Sequence, residues 1–168
     1  MEHEGMAVVR HNIEVAHRLF DLKGKCEQIH GHSMWIELGL YGAVVNGLLA
    51  SPETKEPFEF GAVKKEFRKH LDLNYDHRLL LNARDPFAEE IQVNMGPDHQ
   101  EPGGTLWQPM QLPGLVSCDG DPTTENIALW VAEWGAFTFK TDVEVKVNET
   151  VTNAAHVVWN YTGMEVPR

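Results

Sequence analysis

A chain of 168 residues, 42% apolar and 23% charged, has the size and balance to bury a core without cross-links. Its formal charge of -11 argues against a nucleic-acid surface, which needs clustered Lys and Arg, and no apolar run approaches the roughly 18 residues of a spanning helix. Neither nucleic acid nor membrane is expected as a partner. The start, Met1-Glu2-His3-Glu4-Gly5, lacks a basic segment leading into an apolar stretch, and two cysteines, Cys26 and Cys118, make no disulfide framework, so a cytoplasmic protein with free thiols is expected.

Met6 to Val15 reads as a strand closed by His17, with Ile13, Val15 and His17 on one parity. Arg18 to Lys25, containing Gly24 and the basic side chains Arg18, Lys23 and Lys25, reads as a loop. The next seven residues, Cys26 to His32, gather a thiol and two imidazoles. A second strand runs from about His32 to Val45; continued back to His30, it puts His30 and His32 on the face of Met34, Ile36 and Leu38. The two strands should form a long antiparallel ribbon. After a polar stretch, Ser51 to Pro57, the stripe Val63, Phe67, His70 and Leu71 predicts a helix over Ala62 to Leu71. Asp76-His77 then sits among apolar residues between Leu73 and Leu81.

From Asn82 to Asp121 the prolines Pro86, Pro97, Pro102, Pro109 and Pro113 forbid a long regular element, and the segment reads as an insertion with a short helix near Pro86 to Ile91 and a hairpin around Gly103-Gly104. Pro122-Thr123-Thr124-Glu125 opens another helix with a threonine cap and an acid in the first turn, followed by the apolar run Ile127 to Trp134 and a stop at Gly135. Asp142 to Glu149 alternates as a strand, with Ala154 to Tyr161 as its partner. The order ββααββ predicts an α+β fold: an antiparallel four-stranded sheet with two helices packed on one face, in a single domain over residues 1–168 with an insertion at about 82–121.

Two same-face imidazoles and a third from elsewhere make a His3 zinc site with an open fourth position, the pattern of catalytic zinc. His30 and His32 supply the pair, and His17, closing the neighbouring strand, can meet them. A lone histidine among nine is more often a surface or core residue, which is the expectation for His3, His11, His70, His99 and His156. Cys26 is either a small buried apolar residue or, beside Lys25, a thiolate nucleophile or base. Asp76-His77 is an exposed turn pair or a carboxylate orienting an imidazole for proton transfer. Glu149 falls on the parity of Val143, Val145 and Val147, where either solvent or a ligand with paired N-H donors must meet its charge. Asn148-Glu149-Thr150 and Asn160-Tyr161-Thr162 match a glycosylation pattern, discounted for want of a signal segment.

Ala16-His17-Arg18-Leu19, Cys26 to Ser33, Glu59-Phe60-Gly61 with Lys64, Asp76 to Leu80, Pro122 to Asn126, and Val145-Lys146-Val147 leading to Glu149-Thr150 stand in the order of a known family. From Ile13 to about Tyr161 the chain resembles the 6-pyruvoyl-tetrahydropterin synthase superfamily. The three-residue gap between Cys26 and His30 is most similar to its 6-carboxy-tetrahydropterin-forming branch. The long 82–121 segment and Glu59, where aspartate is usual, depart from the pattern. The resemblance implies the tunnelling fold, a homo-oligomer (tetramer or hexamer) with interfacial sites, and zinc on His17, His30 and His32. It implies that Glu149, assisted by Thr124 and Glu125, grips a pterin triphosphate, with Cys26 and the Asp76-His77 pair moving protons. The activity implied is conversion of 7,8-dihydroneopterin triphosphate to 6-carboxy-5,6,7,8-tetrahydropterin, acetaldehyde and triphosphate, early in queuosine and 7-deazaguanine synthesis. A pyruvoyl-forming enzyme and a non-catalytic pterin- or zinc-binding protein are the alternatives. Arg18, Lys23 and Lys25 are the candidates to meet the triphosphate.

Overall fold

The computed structural model describes residues 4–95 and 115–163. Its spine is the expected ribbon: β1 (Glu4–His17) and β2 (His30–Val45) pair antiparallel along their whole shared length, from Glu4 opposite Ala43 to His17 opposite His30. Period-two alternation sends Val9, Ile13, Val15, Met34, Ile36 and Leu38 into the core and leaves Arg10, Glu14 and Glu37 on the open face. Beyond the ribbon, Asn46 and Gly47, both at positive φ, turn the chain into the short β3 (Leu48–Ala50), which pairs back onto β2.

Two helices cover the core face. The first, α1 (Phe60–Asn74), runs further at both ends than its apolar stripe and buries Val63, Phe67, His70 and Leu71. The chain returns through β4 (Arg78–Asn82), α2 (Pro86–Met95) and β5 (Leu115–Cys118) before α3 (Thr124–Phe139), β6 (Val143–Asn148) and β7 (Ala154–Trp159). Thr123 caps α3 by accepting the Asn126 amide through its hydroxyl, as the sequence indicates. Gly135, in contrast, does not stop this helix. A side chain there would stand 3.0 Å from Leu38, so the glycine lets α3 lie close on β2, and the helix ends at Lys140 in the left-handed region (φ 50°).

The sheet departs from the expected four antiparallel strands. Its order is β5-β4-β1-β2-β6-β7, with β3 beside β2; β6 and β7 pair antiparallel as predicted, but β4 runs parallel to β1 and β5 parallel to β4. The reason lies in Leu79-Leu80-Leu81. Leu80 joins the main core, while Leu79 and Leu81 pack under α2 on the other face. A strand covered on both faces reads as a continuous apolar run with no alternation to betray it. With β4, the described beginning and end of the 82–121 segment, which hold α2 and β5, therefore form a strand-helix-strand extension of the sheet; the hairpin expected at Gly103-Gly104 lies outside the described residues. No described helix is long and apolar enough to cross a membrane.

Candidate functional site

Pairing His17 with His30, and placing His32 two residues on, leaves three imidazoles on the core face at one end of the ribbon. Their ring centroids are 4.5 to 5.2 Å apart, and one nitrogen from each lies within 4.8 Å of the others. Among the described residues this is the one group of histidine, cysteine or carboxylate side chains converging so closely. Two rings have their tautomer set by main-chain carbonyls. Nδ1 of His17 donates to the Pro122 carbonyl at 2.7 Å and Nδ1 of His30 to the Gln28 carbonyl at 2.8 Å. A carbonyl only accepts, so the proton is on Nδ1 and, in the neutral ring, Nε2 presents a lone pair.

His17 is fully buried and its Nε2 has no hydrogen-bond partner. Burial first, then the two neighbouring imidazoles, lower its pKa, while the Pro122 carbonyl and the Glu149 charge pull the other way. A buried imidazole whose unpartnered Nε2 faces two other imidazoles and, at 3.9 Å, a carboxylate oxygen is suited to hold a cation. Neutral nitrogen donors fixed by carbonyls on their far side fit a zinc ion.

Glu149 stands beside them. The chain has just left β6, and the Glu149 and Thr150 amides donate to the Asn153 carbonyl in the turn before β7. Its Oε1 accepts the Thr124 hydroxyl at 2.9 Å and lies 3.9 Å from His17 Nε2 and 3.8 Å from His32 Nε2. The carboxylate continuing the valine parity is thus held against the cluster by the first residue of α3. Glu125, next in that helix, is exposed and makes no contact with the cluster, which separates it from Thr124.

Cys26 is half-buried in a single 3-10 turn (Lys25–Glu27), its carbonyl accepting the Leu19 amide. It is tied to the imidazoles by chain proximity alone. Asp76 and His77 pair through Oδ2 and Nδ1 at 2.9 Å in the turn between α1 and β4, and both are gripped by Glu14, whose amide donates to Asp76 Oδ1 and whose carbonyl accepts the His77 amide. Burial raises the Asp76 carboxyl, but the Glu14 amide and the His77 pairing outweigh it and hold it below the usual range. The His77 ring is 78% exposed, and the pair makes no contact with the imidazoles.

Of the cations proposed for an anionic tail, Arg18 is already engaged. Its Nη1 donates to both oxygens of Asp85, its Nε to the Glu27 carbonyl, and its guanidinium lies over Phe87. Lys23 pairs with Glu27, whereas Lys25 is exposed next to Cys26. The other histidines follow expectation where described: His11 pairs with Asp72, His156 with Glu144, and His70 is buried; His3 and His99 lie outside the described residues. The Pro122 and Gln28 carbonyls escape sequence reading because main-chain acceptors carry no residue signature.

A curled sheet with α1 and α3 on one face and α2 on the other, and a three-imidazole cluster at the end of its first hairpin, defines the class: an α+β protein with a side-chain group able to hold a metal ion. The sequence profile of the 6-pyruvoyl tetrahydropterin synthase family matches residues 7–163, and the chain belongs to that family. A curated relative, 6-carboxy-5,6,7,8-tetrahydropterin synthase of Rickettsia typhi, is 29% identical over 124 residues, covering 71% of this chain and 72% of that one. An uncharacterised protein of Wolinella succinogenes superposes with a TM-score of 0.71 at 16% identity over 92% of this chain and 98% of that one. The 6-pyruvoyl tetrahydropterin synthase of Plasmodium vivax superposes with 0.61 at 19% identity, over 94% and 99% respectively. These likenesses establish the tunnelling fold.

Proposed function

We propose that the protein is a zinc enzyme converting 7,8-dihydroneopterin triphosphate and one water to 6-carboxy-5,6,7,8-tetrahydropterin, acetaldehyde and triphosphate, in queuosine and 7-deazaguanine synthesis. The observation that carries the reading is the junction of Glu149 and Thr124 with His17, His30 and His32, a carboxylate anchor beside a metal-capable centre. The carboxy-forming relatives, named as such at 25 to 29% identity, favour this product.

Glu149 receives the paired N-H donors of the pterin edge; Thr124 takes one lone pair of Oε1 and leaves the other, with Oε2, to the ligand. Zinc on the three imidazoles supplies Lewis acidity to the side-chain hydroxyls. Cys26, as thiolate, takes a proton from the substrate side chain, and His77, oriented by Asp76, returns one. Within one chain the Asp76-His77 pair is held by the Glu14 main chain, with the His77 ring 78% exposed and in no contact with the imidazoles, so we place its partner centre on a neighbouring subunit of a homo-oligomer. Lys25 is the cation left to meet the triphosphate.

Incubation with 7,8-dihydroneopterin triphosphate should release acetaldehyde in step with a 6-carboxy product. A pyruvoyl product without acetaldehyde would transfer the protein to the pyruvoyl-forming reaction. No turnover in the zinc-loaded protein, with pterin still bound, would make it a binding protein.

A further inference from the structure

Residues 18–28, which carry Cys26, have no regular structure beyond one 3-10 turn, and outside that turn their internal ties are the Leu19 amide to the Cys26 carbonyl, Arg18 Nε to the Glu27 carbonyl, and the exposed Lys23–Glu27 pair. What fixes this loop comes from the two ends of the segment between β4 and α3. At one end Asp85, its side chain fully buried, accepts Arg18 Nη1 on both oxygens and the Phe87 amide. At the other, Asp121, 8% exposed, accepts the Phe20 amide on Oδ1 and the Asp21 amide on Oδ2, with Asn82 Nδ2 also on Oδ1. Arg84 pairs with Asp21 across the same seam. The neighbouring Pro122 carbonyl orients His17.

A buried carboxylate is costly unless its lone pairs are filled, and filled in this way it is strongly directional. Losing one donor leaves a charge stranded, so each carboxylate tolerates essentially one loop geometry.

We propose that Asp85 and Asp121 are positioning residues that lock the Cys26 loop, so that the two described ends of the 82–121 segment are part of the frame of the site. The inference rests on the assignment of Cys26 as the proton-removing group. It also assigns Arg18 to the frame, away from the triphosphate.

Asp85→Asn is the sharpest probe, because asparagine caps α2 as well as aspartate does while the charge pair with Arg18 is lost. In the zinc-loaded full chain, Asp85→Asn and Asp121→Asn should each raise the rate of Cys26 alkylation by iodoacetamide severalfold, with Cys118 buried and silent. They should lower kcat by about tenfold to a hundredfold with KM within about twofold, since a misplaced base loses rate and not affinity. Asp85→Glu, retaining the charge, should recover part of both, and bound zinc should stay at the wild-type level. Unchanged alkylation in both Asn variants would overturn the proposal, as would a loss carried by KM alone, which would return Arg18 to the substrate. Should either Asn variant fail to fold, Asp85→Glu decides by the same criteria. Alkylation reads the loop even if the proposed reaction is not found, so the two failures are distinguishable.

Discussion

Among the described residues two histidines are buried, and only one of them joins a cluster of imidazoles. His17 and His70 are both shielded from water, both titrate below the ordinary imidazole range, and both leave Nε2 without a partner. The difference is in what that nitrogen carries and what it faces. His17 gives its proton-bearing Nδ1 to a carbonyl, so its orphan is a lone pair aimed among two further imidazoles. His70 accepts at Nδ1 from the Asn74 amide nitrogen, whose identity is fixed because it also donates to the His70 carbonyl. Its orphan is therefore an N-H, on a ring stacked 4.0 Å over Trp134. Burial and an unsatisfied nitrogen do not by themselves suit a histidine to a metal; a free lone pair converging with others is also required.

The largest effect that tests this contrast is on metal content. His32→Ala should lower zinc affinity by at least about the hundredfold that outer-shell changes alone can cost, and abolish turnover, while His70→Phe should keep both near wild type. Elemental analysis after dialysis against a weak chelator decides it. Equal zinc in wild type and His32→Ala would remove the centre from its assigned place.

The three-imidazole cluster was legible in the sequence because strand parity is a one-dimensional property. His30 and His32 sit two apart, His17 shares the parity of Ile13 and Val15, and pairing brings the three together. Glu149 was legible for the same reason, as a charge continuing a valine row. Cys26 and Asp76-His77 stand out in the sequence by residue type but not by geometry, since turns place side chains by local backbone angles; His77 adopts φ 56°. Unreadable altogether was the parallel extension, β4 and β5, whose two-sided burial erases alternation, and with it the role of Asp85 and Asp121. The Pro122 and Gln28 carbonyls, which decide the tautomers, have no side-chain signature to read.

A middle-sized effect separates Glu149 from the imidazoles it touches. If it anchors substrate and is not a fourth ligand, Glu149→Gln should leave zinc unchanged and weaken biopterin binding by about 1.5–3 kcal/mol, roughly tenfold to 150-fold in Kd. Fluorescence titration measures this, and loss of zinc in the variant would instead make Glu149 part of the metal shell. Thr124→Val, which removes the hydroxyl on Oε1, should weaken the same binding by a smaller step of about 1 kcal/mol.

The smallest effect returns to His70. Burial alone pushes its pKa down to about 3, whereas in the unfolded chain it titrates near the ordinary 6.5. Between those values the unfolded state binds a proton that the native state refuses, so stability is complete above about pH 6.5 and declines as the pH falls toward 3. Well inside the window the His70 contribution to the slope approaches one proton, or about 1.4 kcal/mol per pH unit. His17 adds to the slope with the same sign in zinc-free protein, because its pKa is also lowered. The difference between wild type and His70→Phe, measured without zinc by urea unfolding from pH 4 to 5.5, therefore isolates the core histidine. If His70→Phe shows the same slope as wild type, the ring is protonated in the native state. The distinction from His17 would then rest on metal binding alone.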